Sequence, residues 1–282
     1  MQPLDPLRAA RPDQSIDVVV PFVLKDLDNV YLCLRGVITT VRNPIDRIRL
    51  ITPDYKTEEN KRLIEQQIRR AKAESPRTPV IQVEQDHHVL GESFFRELDE
   101  RGIEHPGGWK LQQMIKLYAS HGSRAFATLV VDADTVLLEP RTWVLADGTQ
   151  LLQFSESFQP GYKRHFREYF GEGKTAPFSF VTHHQLLRTD VLQEMFPHRS
   201  NIIDWYESSL EIPGPSLSEY EAYGSYLWAR HRDEVRLGAW ANLWSPRKAE
   251  LGEELRNSRR TIAQLIPDYC SVSFHAHSQL NG

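Results

Sequence analysis

The stretch Phe-Ala-Thr-Leu-Val-Val-Asp-Ala-Asp, at positions 126–134, decides the fold prediction. Its first six residues are almost entirely apolar, which is typical of a strand that is buried on both faces of a parallel sheet. Three segments of the same kind, five to seven residues long, precede it, and helical patterns separate the four. This alternation predicts an α/β fold, with a mostly parallel central sheet flanked by helices. The predicted strands are residues 16–22, 48–52, 79–83 and 126–131, and the main helices are 26–37, 57–71 and 109–120.

The second half of the chain has a less regular pattern. We find no internal repeat and no low-complexity linker, so the sequence predicts a single domain over residues 15–282 after a proline-containing arm at 1–14. Within it, the regular α/β alternation of about 15–135 differs from the pattern of about 136–282. The elements predicted in the second half are strands at 151–155, 179–182 and 271–275 and helices at 187–195, 202–210, 219–230 and about 250–265.

Composition excludes several classes of protein. The 34 Lys and Arg against 38 Asp and Glu leave a net charge of −4, which does not favour nucleic-acid binding. The longest nearly apolar stretches are far shorter than the roughly 20 residues of a membrane span, although peripheral association with a membrane is compatible with the sequence. Two cysteines form no disulfide framework. Together with an N-terminus unlike a signal peptide, these features predict a cytoplasmic protein.

Asp132 and Asp134 carry the most chemical information. They follow a buried strand directly, at the end where α/β sheets bind ligands. Two carboxylates in such a place repel each other, and a hard cation with oxygen ligands relieves that repulsion. The pair therefore predicts a metal site.

A resemblance rests on this pair and on the helix before it. Gly-Trp-Lys-Leu-Gln-Gln-Met-Ile-Lys-Leu at 108–117, followed by Leu-Val-Val-Asp-Ala-Asp-Thr-Val at 129–136, resembles the glycosyltransferases of GT-A fold. More narrowly, it is similar to bacterial proteins of the capsule and lipopolysaccharide type, in which a Gly-Trp-x-x-Gln-Gln-x-x-Lys helix precedes Asp-x-Asp. The resemblance implies a hexosyltransferase-type enzyme of polysaccharide biosynthesis. Its donor would be a nucleotide-diphosphate sugar, with a UDP-sugar favoured, and its acceptor a glycan or glycolipid. The resemblance also implies that about 15–135 is the nucleotide-binding half and about 136–282 the acceptor half.

The same resemblance implies a set of site residues. In this fold the Asp-x-Asp motif binds Mn²⁺ or Mg²⁺, which bridges the donor diphosphate; Asp134 would be the direct ligand, and Asp132 would face the ribose or sugar. A C-terminal histidine would complete the metal shell. The candidates for that position are His275 and His277, and those for donor binding are Pro21, Phe22, Asp54, Trp109, Gln113, Lys116 and Asp132.

Glu219 and Glu221 compete as the catalytic base of an inverting transfer. Both stand in the first turn of a predicted helix after a Pro-Gly-Pro loop. If Ser218 is the N-cap, Glu221 folds back in a capping box, and Glu219 is free to project into the cleft. A cap at Ser216 would exchange these roles.

Two other functions are compatible with the sequence. Asp-Ala-Asp-Thr at 132–135 also matches the nucleophile motif of haloacid-dehalogenase-like phosphatases, with Asp132 as nucleophile, although that motif normally ends the first strand of its domain. A non-catalytic sugar-binding module that keeps the fold is the third interpretation.

Overall fold

A five-stranded sheet forms the centre of the molecule in a computed structural model, which describes residues 14–73, 79–156, 158–171, 176–244, 255, 264–265 and 267–274. The strand order is β3-β2-β1-β4-β7. The first four strands are parallel to one another, and β7 is antiparallel to β4. These strands are β1 (Ile16–Pro21), β2 (Ile45–Ile51), β3 (Val80–Glu84), β4 (Ala127–Val131) and β7 (His184–Arg188).

Two small sheets accompany the central one. β10 lies between β5, to which it is antiparallel, and β9, to which it is parallel, and β6 pairs with β8 in a parallel ladder. Their bounds are β5 (Thr135–Leu137), β6 (Gln150–Phe154), β8 (Val235–Ala239), β9 (Asn242–Trp244) and β10 (Ser271–Ser273).

Helices cover both faces of the central sheet, because successive strand side chains point to opposite sides. On one face, Val19 and Val130 pack with residues of α5 and α9. On the other, Val18 and Leu129 pack with residues of α1 and α2. The helices are α1 (Leu27–Thr40), α2 (Glu58–Ala73), α3 (Asp86–Leu90), α4 (Glu92–Arg101), α5 (Gly108–His121), α6 (Pro160–Phe170), α7 (Thr189–Met195), α8 (Ser200–Ser209) and α9 (Glu219–Arg230). The predicted α/β architecture in one domain is confirmed.

The second half of the chain differs from the prediction in several elements: β5, α6, β8 and β9 were not predicted, and one predicted strand is misplaced. Residues 179–182 make only an isolated bridge, through Ser155 and Ser179, and the strand is β7 instead. The predicted helix at 187–195 begins later, at Thr189. Three segments of the prediction lie mostly or wholly outside the described residues: the charged helix near 250–265, the arm before residue 14, and residues 275–282. None of the helices in the described part of the chain has the length and apolar character that a membrane crossing requires.

Candidate active site

The carboxyl end of β4 is the centre of the candidate site. The β7 strand runs antiparallel to β4 and pairs His184 with Val131, so Asp132, which follows Val131, lies beside His183, which precedes His184. The Asp132 N–H donates to the carbonyl oxygen of His183 at 2.9 Å, and the Thr135 N–H donates to that of Asp132. A tight turn therefore holds the Asp-x-Asp motif against the start of β7.

Lys116 binds two carboxylates at this point. Its Nζ lies 2.6 Å from Asp132 Oδ1 and 2.7 Å from Glu219 Oε1. The Tyr220 hydroxyl donates to Asp132 Oδ1 at 3.0 Å, and the ammonium group lies 4.5 Å from the centre of the same tyrosine ring. The Glu219 N–H donates to Gln113 Oε1 at 3.2 Å. Residues that are about a hundred positions apart in sequence thus form one polar cluster between α5, β4 and α9.

The burial of this cluster sets its electrostatics. Burial alone would lower the pKa of Lys116, but Asp132 and Glu219 outweigh it and raise that pKa. Burial would raise the pKa of Asp132, and Lys116 and His183 instead hold it well below its usual range. The pKa of Glu219 is raised, because burial and the charge of Asp132 exceed the effect of Lys116. The lysine is therefore charged, and Asp132 is its ionised partner.

The two glutamates differ from the expected arrangement. Ser218 is the N-cap of α9, as one of the two alternatives predicted, and its Oγ accepts from the Glu221 N–H. However, the Glu219 carboxylate is only 1% exposed, so the expectation that it projects freely into an open cleft is wrong. Its Oε1 lies instead against the buried Lys116 ammonium group on α5.

The Glu221 carboxylate does not make the contact that the predicted capping box requires. Its carboxylate lies 2.5 Å from the buried Lys163 ammonium and accepts hydrogen bonds from Ser179 Oγ, the Phe180 N–H and Ser225 Oγ. Glu221 thus joins α6, α9 and the segment before β7, and it does not fold back to the cap. The structural use of Glu221 agrees with expectation, but its partners do not.

His183 was not among the predicted site residues. Its Nδ1 lies 3.3 Å from Asp132 Oδ2, and its ring stacks on Trp240 at 5.0 Å. Its φ of 55° is positive, which is uncommon for a residue with a side chain and often occurs at functional sites. The neighbouring His184 is buried instead, with Nε2 against Gln153. Only the antiparallel pairing of β7 reveals which histidine meets Asp132, and no sequence pattern indicated it.

The metal prediction involves Asp134 and the C-terminal histidines. The Phe274 N–H donates to the Asp134 carbonyl oxygen at 2.8 Å, so the described C-terminal segment ends beside the motif. His275 and His277 lie outside the described residues. Within the residues that are described, no group of three or more His, Cys, Asp or Glu is arranged to hold a metal ion. The structure thus brings two carboxylates to the end of β4, and the complete ligand set stays a prediction.

The residues predicted to cradle the nucleoside lie at the ends of β1 and β2. Phe22 is buried in the core and pairs through its N–H with the Ile51 carbonyl. Pro21 is the last residue of β1. The Asp54 carboxylate accepts from the Leu24 N–H at 2.7 Å, which ties the two strand ends together. These three residues share the edge of the sheet at which Asp132 lies, and their role in base and ribose binding stays a prediction.

Trp109 and Gln113 lie in the N-terminal half of α5. Gln113 is buried against α9, whereas Trp109 is 45% exposed and stacks on Tyr162 with ring centres 6.3 Å apart. Of the predicted α5 residues, Gln113 and Lys116 therefore reach the cluster, and Trp109 lies at the surface.

Comparison with solved structures identifies the fold. An active-site mutant of LgtC matches with a TM-score of 0.52 and 13% identity, over 95% of this chain and 92% of that chain. The chain has a GT-A-like fold. Two further matches have TM-scores of 0.49: mouse xyloside xylosyltransferase 1, at 10% identity over 93% of this chain and 98% of that chain, and the galactosyltransferase LgtC with donor and acceptor sugar analogues, at 12% identity over 92% and 87%. No protein-family profile and no curated protein sequence matches the chain.

Proposed function

We propose that this protein is a metal-dependent glycosyltransferase that moves a sugar from a nucleotide-diphosphate sugar to a glycan or glycolipid acceptor. The observation that carries the proposal is the buried Lys116 between Asp132 and Glu219, at the carboxyl end of β4 in a GT-A-like fold. A fixed ammonium group at such an edge suits the charge that builds up on a leaving diphosphate. Synthesis of a surface polysaccharide by a UDP-sugar-dependent enzyme is the specific form we propose.

The charges of the cluster support a divalent cation. One lysine faces the carboxylates of Asp132 and Glu219, and the charge of Asp134 acts on the adjacent Tyr220 and Cys33. Carboxylate oxygens are the ligands that Mn²⁺ and Mg²⁺ take in proteins. We propose that Asp134 holds the cation with help from Asp132, His275 and His277. A cation held there would neutralise part of the charge on the leaving group.

We keep Glu219 as the carboxylate proposed to take the proton of the acceptor hydroxyl. Its backbone is tied to Gln113 on the side of the cluster toward the start of α5, and its raised pKa makes it a stronger base than an exposed carboxylate. Because the Glu219 carboxylate is paired with the Lys116 ammonium group, it would have to give up that contact in order to bind the acceptor hydroxyl. Glu219→Gln should then lower transfer by about 10²–10⁴ while donor binding is retained. Loss of donor binding instead would show that Glu219 acts only by holding Lys116.

A thermal-shift panel tests the class of donor. UDP-, GDP-, dTDP- and CMP-sugars are each added with and without Mn²⁺, and a nucleotide at 100 times its dissociation constant should stabilise the protein by roughly 2.7 kcal/mol. Asp134→Asn should remove the Mn²⁺-dependent part of that shift. The matched control is Asp46→Asn, an exposed carboxylate at the opposite end of the sheet in β2. If no nucleotide binds the wild-type protein, or if Asp134→Asn keeps the full Mn²⁺ dependence, the proposal fails.

The topology argues against the phosphatase alternative. The Asp-x-Asp motif follows the fourth strand of the chain, and Asp132 is held by Lys116, Tyr220 and His183. A non-catalytic sugar-binding module would bind donor but show neither hydrolysis nor transfer with any acceptor.

A further inference from the structure

An exposed aromatic surface lies at the N-terminal end of α5, apart from the residues proposed to hold the metal ion. Building on the proposed function, we propose that Trp109, backed by Tyr162, is the platform on which a neutral pyranose ring of the acceptor stacks. This assigns Trp109 to the acceptor and not to the nucleotide-sugar donor.

The order of residues along α5 places this platform. Trp109, Gln113 and Lys116 are spaced by four and three residues, so they lie on one face of the helix. Lys116 contacts Asp132 and Glu219, and Gln113 accepts from the Glu219 N–H. Trp109 lies about 10 Å further along the same helix, at about 1.5 Å per residue. Glu219 therefore stands between the Asp-x-Asp end of the site and the exposed tryptophan, where a base between donor and acceptor belongs.

The start of α6 packs against Trp109 and against the loop before α9. A Cβ on Gly161 would lie 2.2 Å from the Pro215 carbonyl oxygen, so the α6 backbone touches the Pro-Gly-Pro loop before α9. The next residue, Tyr162, stacks on Trp109 with an interplanar angle of 27°. Burial and the nearby charges of Glu219 and Glu221 raise the pKa of Tyr162 to about 12. The aromatic pair is thus an immediate neighbour of the first turn of α9.

The chemistry of this surface favours a neutral sugar. One face of a pyranose presents C–H groups that pack on an aromatic ring, while its hydroxyl groups remain at the rim. The tryptophan is already held by the tyrosine, so binding would immobilise few further side-chain torsions. The nucleoside is proposed to bind elsewhere, at the ends of β1 and β2, where Pro21 and Asp54 lie. A neutral ring is therefore a better occupant than a nucleotide.

Saturation-transfer NMR with defined saccharides tests this proposal. Methyl glycosides, lactose, maltose and cellobiose are added to the full-length protein in the presence of UDP and Mn²⁺, and the transferred signal identifies binding. We expect at least one of them to bind through its ring C–H protons, Trp109→Ala to weaken that binding by on the order of tenfold or more, and Trp109→Phe to retain most of it. The control is Val80→Ala, which removes an equally exposed apolar side chain from the edge strand β3.

The outcomes separate the two proposals. UDP-dependent stabilisation unchanged in Trp109→Ala, together with lost saccharide binding, supports an acceptor platform. If the wild-type protein binds UDP but none of the saccharides, or if Trp109→Ala binds saccharide normally, the platform is refuted and the glycosyltransferase proposal stands. If Trp109→Ala loses UDP binding, the tryptophan belongs to the donor site. If the wild-type protein binds no nucleotide, the proposed function itself fails.

Discussion

Replacing Glu221 with glutamine tests the most heavily bonded carboxylate of α9. Glu221 and its partner Lys163 are 2% and 4% exposed, and their charged atoms lie 2.5 Å apart. The glutamine amide would leave the ammonium group buried without a counter-charge, although Lys163 would keep its bond to the Phe178 carbonyl. Breaking a buried ion pair by removing one partner costs about 3–5 kcal/mol. At about 2.1 cal/mol/K of unfolding entropy per residue, this corresponds for 282 residues to a loss of roughly 5–8 °C in melting temperature.

Urea unfolding followed by tryptophan fluorescence measures this loss. The matched control is Glu168→Gln on α6, because Glu168 pairs with Arg164 and both side chains are 53% exposed. We expect that control to cost less than about 1 kcal/mol. Combining Glu221→Gln with Lys163→Met should cost less than the sum of the two single changes, since the second removes the stranded charge. A loss below about 1 kcal/mol in Glu221→Gln, or additive effects in the double variant, would refute the assignment of Glu221 to this ion pair.

Three further predictions follow from the buried groups around the site. Lys116→Met should lower the free energy of unfolding by about 3 kcal/mol or more in urea, whereas Lys110→Met on the exposed side of α5 should change it by less than about 1 kcal/mol. Because His183 has a positive φ, His183→Gly should be more stable than His183→Ala by about 1 kcal/mol in thermal unfolding; equal stability would argue against the strained backbone. Burial lowers the pKa of His165 to about 4, while the unfolded chain takes up its proton near pH 6.5, so this residue reduces stability as the pH falls from 6.5 to 4, by up to about 1.4 kcal/mol per pH unit. His165→Gln should flatten the stability profile measured across that range, and an unchanged slope would exclude His165 as its source.

The parallel part of the sheet was predictable because its strands are continuous apolar runs. Residues 126–131 are too apolar for an exposed strand, and the helix at 109–120 has a clear apolar face. The bounds of β4 and α5 were therefore predicted within one residue at each end. The strand β7 was not, since it is short and continues directly into α7. Local pattern alone does not separate a five-residue strand from the first turn of the helix after it.

The sequence named candidate site residues but did not predict how they pair. Lys116 was assigned to donor binding, whereas in the structure its ammonium group lies between the carboxylates of Asp132 and Glu219. The different partners of Glu219 and Glu221 were not fully predictable. The sequence left the cap open between Ser218 and Ser216, and the structure has Ser218; the partner of Glu221 is Lys163 on α6, an element absent from the prediction. Side-chain partners that come from an unpredicted helix cannot be deduced from spacing.

The first turn of α9 places its two glutamates on nearly opposite sides of the helix, because residues two apart are separated by about 200°. One pairs with a lysine of α5 and the other with a lysine of α6. The residues before the cap are buried as well, since Ser216 and Leu217 are 7% and 1% exposed and the Ser216 carbonyl oxygen lies 3.0 Å from His165 Nδ1. A one-residue insertion or deletion between Glu219 and Glu221 would turn one carboxylate by about 100° relative to the other, so one of the two ammonium groups would lose its partner. Length variation in this protein should therefore be forbidden from Ser216 to Glu221.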